Sequence, residues 1–232
     1  MRIRSDMKHV KVFIVHGMDN PPRSLEMLSK KFYRSGFDVS MPRMPSLTNR
    51  EAPKKWPETW VDEALENLEA FSRGKSGFSL IIIGYSIGGA IAANVAFLLS
   101  RQAQGRAMMM PCTLLLLSVP AGIDHELIKY WGSVPSGLGK LSFLGLCRLV
   151  SFLRGTDKIY GFLNMPCLIA QGAKDRLVPV RCSEWLFNNI GSKKKCLVVH
   201  PALDHNLYEE SNRCNDAFLS TILWRVSEFI KP

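Results

Sequence analysis

A serine with a glycine two positions away on either side, Gly84-Tyr85-Ser86-Ile87-Gly88, follows the apolar run Leu80-Ile81-Ile82-Ile83 and opens the small-residue stretch from Gly89 to Leu99. That order predicts a strand, a sharp turn and a helix. A residue lifted onto so tight a turn crowds its neighbours two positions away, so Gly84 and Gly88 carry no side chain. The Ser86 hydroxyl then stands clear of the backbone at a helix N-terminus, where free N–H groups and the helix dipole favour developing negative charge. The chemistry that follows is nucleophilic attack on an electrophilic carbon.

Serine is a weak nucleophile at its own pKa and needs a general base, which in turn needs a carboxylate to fix its tautomer. His205 follows the strand-like run Cys196-Leu197-Val198-Val199, in the loop His200-Pro201-Ala202-Leu203-Asp204-His205. Asp175 follows the apolar segment from Cys167 to Ala170, in Gly172-Ala173-Lys174-Asp175-Arg176-Leu177-Val178-Pro179. Taken singly, the aspartate reads as a solvated charge and the histidine as a structural residue. Three residues of the right types, each placed after its own strand, shift the weight to a catalytic set. Asp157 and Asp204 are the rival acids. Asp157 is expected in an irregular segment with no strand before it, and Asp204 adjoins the base and would point elsewhere.

A tetrahedral intermediate needs hydrogen-bond donors where its charge develops. The N–H of Ile87, directly after the nucleophile, is the first expected donor, and the loop after an early strand supplies the second. That strand is Val10 to Val15, followed by His16-Gly17-Met18-Asp19-Asn20. Met18 is the expected donor, Gly17 lets the backbone approach, and His16 reads as a structural residue of the loop.

These residues must be positioned by alternating strands and helices, the pattern of a parallel sheet. Strands are predicted near 10–15, 37–41, 79–84, 112–117, 166–171 and 195–200, and helices near 22–35, 57–72, 87–103, 181–190 and 212–230. The alternation breaks over 122–162, whose middle, Leu138 to Leu153, is apolar. This insertion reads either as an extra helix on the core or as a cap that forms an apolar pocket over the site.

The 232 residues, 47% of them apolar, suffice for one buried domain spanning 1–232. No segment qualifies as membrane-spanning, and the first residues carry no apolar leader, so a cytoplasmic setting is expected. The six cysteines show neither metal spacing nor a paired motif, so we expect no disulfide, no metal and no cofactor. The net charge of +10 is scattered over Lys30-Lys31, Lys54-Lys55 and Lys193-Lys194-Lys195 without a binding motif, which argues against a nucleic-acid partner. Ser72-Arg73-Gly74-Lys75-Ser76 resembles the end of a phosphate loop, but Glu69 stands where the first glycine would be and the stretch precedes a strand.

His16-Gly17, Gly84-Tyr85-Ser86-Ile87-Gly88-Gly89, Gly172 to Pro179 and Asp204-His205 together resemble the α/β-hydrolase superfamily over nearly the whole chain, in the same Ser, Asp, His order. Phe37 to Pro45 with Trp56-Pro57-Glu58-Thr59-Trp60 is similar to the small serine hydrolases of the retinoblastoma-binding-protein type. The length and the end of the chain look more like small carboxylesterases and monoacylglycerol-lipase relatives. Where that second group often carries Gly-His-Gly, this chain has Arg43-Met44-Pro45-Ser46. The resemblance implies an α/β-hydrolase fold, a mostly parallel sheet of about six strands with helices on both faces and a small helical cap. It also implies a serine hydrolase acting on a small-molecule ester, with thioesters, peptides or binding without catalysis as alternatives. The apolar cap would also suit weak contact with a membrane surface.

Overall fold

The computed structural model describes residues 10–17, 21–43, 57–73, 77–102, 111–133, 143–208 and 215–230. Its frame is a six-stranded sheet of β1 (Val10–Val15), β2 (Asp38–Ser40), β3 (Ser79–Tyr85), β4 (Pro111–Leu117), β5 (Cys167–Gly172) and β6 (Lys195–His200). The spatial order is β2-β1-β3-β4-β5-β6, and every neighbouring pair is parallel. The predicted strands fall on these six, with no end shifted by more than one residue.

Continuous apolar runs are what a parallel sheet covered on both faces requires, and alternate residues serve opposite faces. Phe13, Val15, Leu80, Ile82, Leu114 and Leu116 belong to one core cluster. Val12, Ile14, Ile81, Ile83, Leu115 and Leu117 belong to the other. Lys11 breaks the run in β1 and is buried, but its Nζ pairs with Asp38 at 3.0 Å and donates to the Phe71 carbonyl at 2.7 Å. A buried charge is tolerated there because it is paired and hydrogen-bonded.

One face is covered by α1 (Arg23–Arg34) and α7 (Asp216–Ile230). Leu25, Leu28 and Phe32 of α1 recur at helical spacing and are buried, as are Phe218, Leu219, Ile222 and Val226 of α7. The other face carries α2 (Glu58–Ser72), α3 (Ile87–Gln102) and α6 (Val180–Asn189). Ala90, Ala92, Ala93 and Ala96 are fully buried, and such small side chains let α3 lie close against the sheet.

Among its described residues the insertion forms α4 (His125–Ser133), α5 (Phe143–Asp157) and a short 3-10 helix at Tyr160–Phe162. Asp157, expected in an irregular segment, is instead the last residue of α5. Its carboxylate accepts the N–H groups of Gly122 at 3.0 Å and Ile123 at 2.8 Å. The mostly apolar sequence of this stretch hid its helical phase. No helix among the described residues is long and apolar enough to cross a membrane.

The chain steps from β1 outward to β2, then returns to place β3 on the other side of β1. Such a reversal opens a crevice at the carboxyl ends of the two strands, where open α/β sheets hold ligands. His16 and Gly17 leave β1 at that edge, Ser86 leaves β3, Asp175 lies beyond β5, and His205 lies beyond β6.

Candidate active site

Ser86 occupies the turn between β3 and α3 with φ of 55°, a left-handed conformation that side chains rarely adopt. Its N–H donates to Leu117 of β4 at 2.8 Å, and its carbonyl accepts the N–H of Gly89 at 2.8 Å. A Cβ on Gly84 would press on the Gly88 carbonyl at 2.6 Å, and one on Gly88 would overlap the carbonyls of Val15 and His16. The two glycines thus let the turn close onto itself and onto the end of β1.

His205 bridges Ser86 and Asp175. Its Nε2 lies 3.1 Å from Ser86 Oγ and its Nδ1 lies 2.8 Å from Asp175 Oδ2. With the ring protonated on Nδ1, that nitrogen donates to the carboxylate and Nε2 accepts from the serine. The Asp175 side chain is inaccessible to solvent. Its other oxygen accepts the N–H groups of Leu177 at 2.9 Å and Val178 at 2.8 Å. The buried Gln171 amide adds a donor 3.5 Å from Oδ2, and Gln171 is itself held by Ser183 and the Val178 carbonyl. A charge so placed is compensated on both oxygens.

Neither rival acid meets the ring. Asp204 Oδ1 accepts the N–H of Tyr208 at 2.8 Å and closes its own loop. Asp157 ties the two ends of the insertion together, and burial raises its carboxyl above the usual 3.8 despite the two N–H donors and nearby Arg154.

Ile87 is the first residue of α3, so its N–H is one of the donors a helix start leaves without an intrahelical partner. Gly17 approaches closely enough that a Cβ there would sit 3.2 Å from Ser86 Cβ. Met18 lies outside the described residues. His16 is buried and bonds through Nδ1 to the Gly17 carbonyl at 2.9 Å.

Beside Ser86 and Ile87 opens a small apolar pocket of about 30 Å³. Trp131 of α4 and Leu149 and Leu153 of α5 face Leu177 and Val178 across it. Trp131 Nε1 donates to the Leu177 carbonyl at 2.8 Å, fastening the insertion to the loop that carries Asp175. Reading the sequence missed Trp131, Gln171 and Tyr85. Tyr85 was visible only as the residue before the serine, and Gln171 only as a polar residue ending an apolar strand.

Cys147, Cys167, Cys182 and Cys196 are free thiols, while the side chains of Cys112 and Cys214 lie outside the described residues. Burial pushes the Cys182 thiol up to about 11, which keeps it protonated and unreactive at neutral pH. No group of three or more His, Cys, Asp or Glu suited to a metal occurs among the described residues.

The whole architecture recurs in solved structures. A metagenome-derived lipolytic enzyme of the LipS and LipT pair superposes with a TM-score of 0.71 at 19% identity, covering 95% of this chain and 94% of its own. The chain has the α/β-hydrolase fold. The monoacylglycerol lipase of Paleococcus ferrophilus shares the α/β-hydrolase architecture with a TM-score of 0.61 at 17% identity, over 94% of both chains. The family model described as serine aminopeptidase, S33, matches residues 138–212, which hold Asp175 and His205 but not Ser86. Human ABHD12B is 26% identical over 150 residues, and a monoacylglycerol lipase of Mycolicibacterium smegmatis is 27% identical over 92. The matched stretches span only 39% and 30% of the length of those two relatives.

Proposed function

We propose that this α/β-hydrolase cleaves a carboxylic ester through an acyl-enzyme on Ser86. The reading rests on one observation, the His205 ring held between Ser86 Oγ at 3.1 Å and Asp175 Oδ2 at 2.8 Å. As Ser86 Oγ attacks the ester carbonyl, its proton passes to His205 Nε2, and Asp175 stabilises the resulting imidazolium. The N–H of Ile87, with that of Met18, stabilises the oxyanion. The imidazolium then protonates the leaving alcohol as the C–O bond breaks. Water, deprotonated by His205, attacks the acyl-serine and releases the acid, restoring the Ser86 hydroxyl.

The pocket formed with the insertion over 122–162 suits the acyl chain, and its apolar lining favours medium-chain or lipid-like acyl groups. The lipolytic structural neighbours and the matched monoacylglycerol lipase support this direction. The family model's description favours a second reading, hydrolysis of an amide at a peptide N-terminus. A thioester would use the same groups. A binding protein without activity would not require the hydrogen-bonded Ser, His and Asp. Four free thiols accord with a reducing cytoplasmic setting.

The test is labelling with a fluorophosphonate, read by mass spectrometry, alongside turnover of p-nitrophenyl esters and aminoacyl anilides. Labelling at Ser86 that disappears in Ser86→Ala, with ester turnover above anilide turnover, is expected. Labelling that persists in Ser86→Ala would remove the reading.

A further inference from the structure

We infer that Tyr85 is a positioning residue for His205, fixing the base relative to the nucleophile from within the same turn. This rests on the reading of Ser86 as nucleophile and His205 as base. Asp175 holds one nitrogen of the ring, but the place of the ring in space depends on the loop that bears it. That loop turns sharply: Asp204 N–H donates to the Tyr208 carbonyl at 2.9 Å, and Leu207 has φ of 61°.

Tyr85 reaches this loop from the elbow. Its hydroxyl lies 2.9 Å from Asn206 Oδ1 and 3.2 Å from the His205 carbonyl, so its single proton is shared between two acceptors on the loop. Its ring lies 5.3 Å from the His205 ring, tilted by 44°. The ring itself belongs to the core with Leu117, Leu203 and Leu207. A phenylalanine would fill that volume equally well, whereas a buried hydroxyl is costly unless it is bonded. The donor therefore answers a requirement that packing alone does not create.

Two features make this a control on the reacting distance. Tyr85 and Ser86 are consecutive, and Ser86 is held in a left-handed conformation, so the direction of one side chain constrains the other. From the opposite side, Ser24 Oγ donates to the Asn206 carbonyl at 2.5 Å and the Arg23 N–H donates to the Tyr208 hydroxyl at 2.8 Å. The loop is thus clamped between the start of α1 and the nucleophile's own turn. Tyr85 does not line the pocket, so it acts through His205 and not on substrate.

The test compares Tyr85→Phe, Asn206→Ala and the double variant with the wild type, using p-nitrophenyl butyrate turnover and melting temperature. Because small displacements of reacting groups cost up to about a hundredfold in rate, Tyr85→Phe is expected to lower kcat about ten- to hundredfold with KM unchanged. Asn206→Ala should lower kcat in the same sense, and the double variant should be no slower than the worse single one. Wild-type kcat in Tyr85→Phe, a matching rise in KM, or losses that multiply in the double variant would overturn the inference. Should Tyr85→Phe fail to fold, Asn206→Ala decides alone, because its side chain is exposed: a kcat loss at constant KM supports the clamp, and unchanged kcat overturns it. A wild-type protein that neither labels at Ser86 nor turns over the ester defeats the reading of the triad and this inference with it, an outcome distinct from an active Tyr85→Phe.

Discussion

Asp157, at the end of α5, holds the N–H of Gly122, so the last helix of the insertion is bonded to its first residue. The segment is closed at its base, and Leu149 and Leu153 of α5 line the pocket beside Ser86. Because burial raises the Asp157 carboxyl above 3.8, the folded protein holds that proton more tightly than the unfolded chain. The associated stability is present below the unfolded pKa and is lost as pH rises through the folded one. Asp157→Asn cannot ionise, so its melting temperature should improve relative to wild type as pH is raised from about 3 to about 7. A difference that stays constant across that range would contradict this.

Replacing the acid beside the base should act on chemistry instead. Asp175→Asn is expected to keep the fold and cut kcat by about 10³ to 10⁴, because the amide favours the wrong tautomer of His205. Asp204→Asn and Asp157→Asn should cost far less in kcat. Steady-state turnover of the three variants checks this, and a larger loss at either rival position would transfer the role to it.

Acyl-chain preference should follow the pocket lining. Each buried CH₂ contributes about 0.8 kcal/mol, or about fourfold in binding, until the space is filled. Medium-chain p-nitrophenyl esters should therefore exceed the acetate in kcat/KM. Leu149→Ala should move the optimum to longer chains, since Leu149 lines the pocket. Leu146→Asp combined with Leu149→Asp should erase the preference while acetate is still cleaved slowly, because Ser86 stands on the sheet. A flat chain-length profile in the wild type would assign the insertion to packing alone.

Two glycines should respond in opposite directions to the same substitution. Gly88→Ala drives a methyl into the carbonyls of Val15 and His16 and should cost about 1–3 kcal/mol or prevent folding. Gly155→Ala, within α5 and with open space around its Cβ position, should stabilise by up to about 1 kcal/mol. Thermal unfolding of both variants measures the contrast.

The sheet was legible because most of its strands carry a short apolar run, and one such as Leu80 to Ile83 fits only a strand covered on both faces. Ser86, Asp175 and His205 were legible because each follows such a run, and the structure brings the three together. The insertion was legible only in extent. Leu144, Leu146, Val150 and Leu153 give no single face, since α5 is apolar toward the pocket and also exposes Phe143 and Leu144. The duties of Tyr85 and Gln171 could not be read at all. Each depends on a partner brought close by folding, Asn206 for one and Ser183 for the other.

The position of β1 between β2 and β3 has a consequence for how the protein is made. Until Tyr85 has been synthesised and β3 can dock, one edge of the apolar strip Val12 to Val15 has no partner. At about 5–20 residues per second, that leaves the strip open to misassociation for several seconds on the ribosome. The four parts of the crevice emerge in the order His16, Ser86, Asp175, His205, so Ser86 is made 119 residues before the ring that bonds to it. A nascent or truncated chain that lacks the loop after β6 therefore lacks His205, and with it the hydrogen-bond partner of both Ser86 Oγ and Asp175 Oδ2.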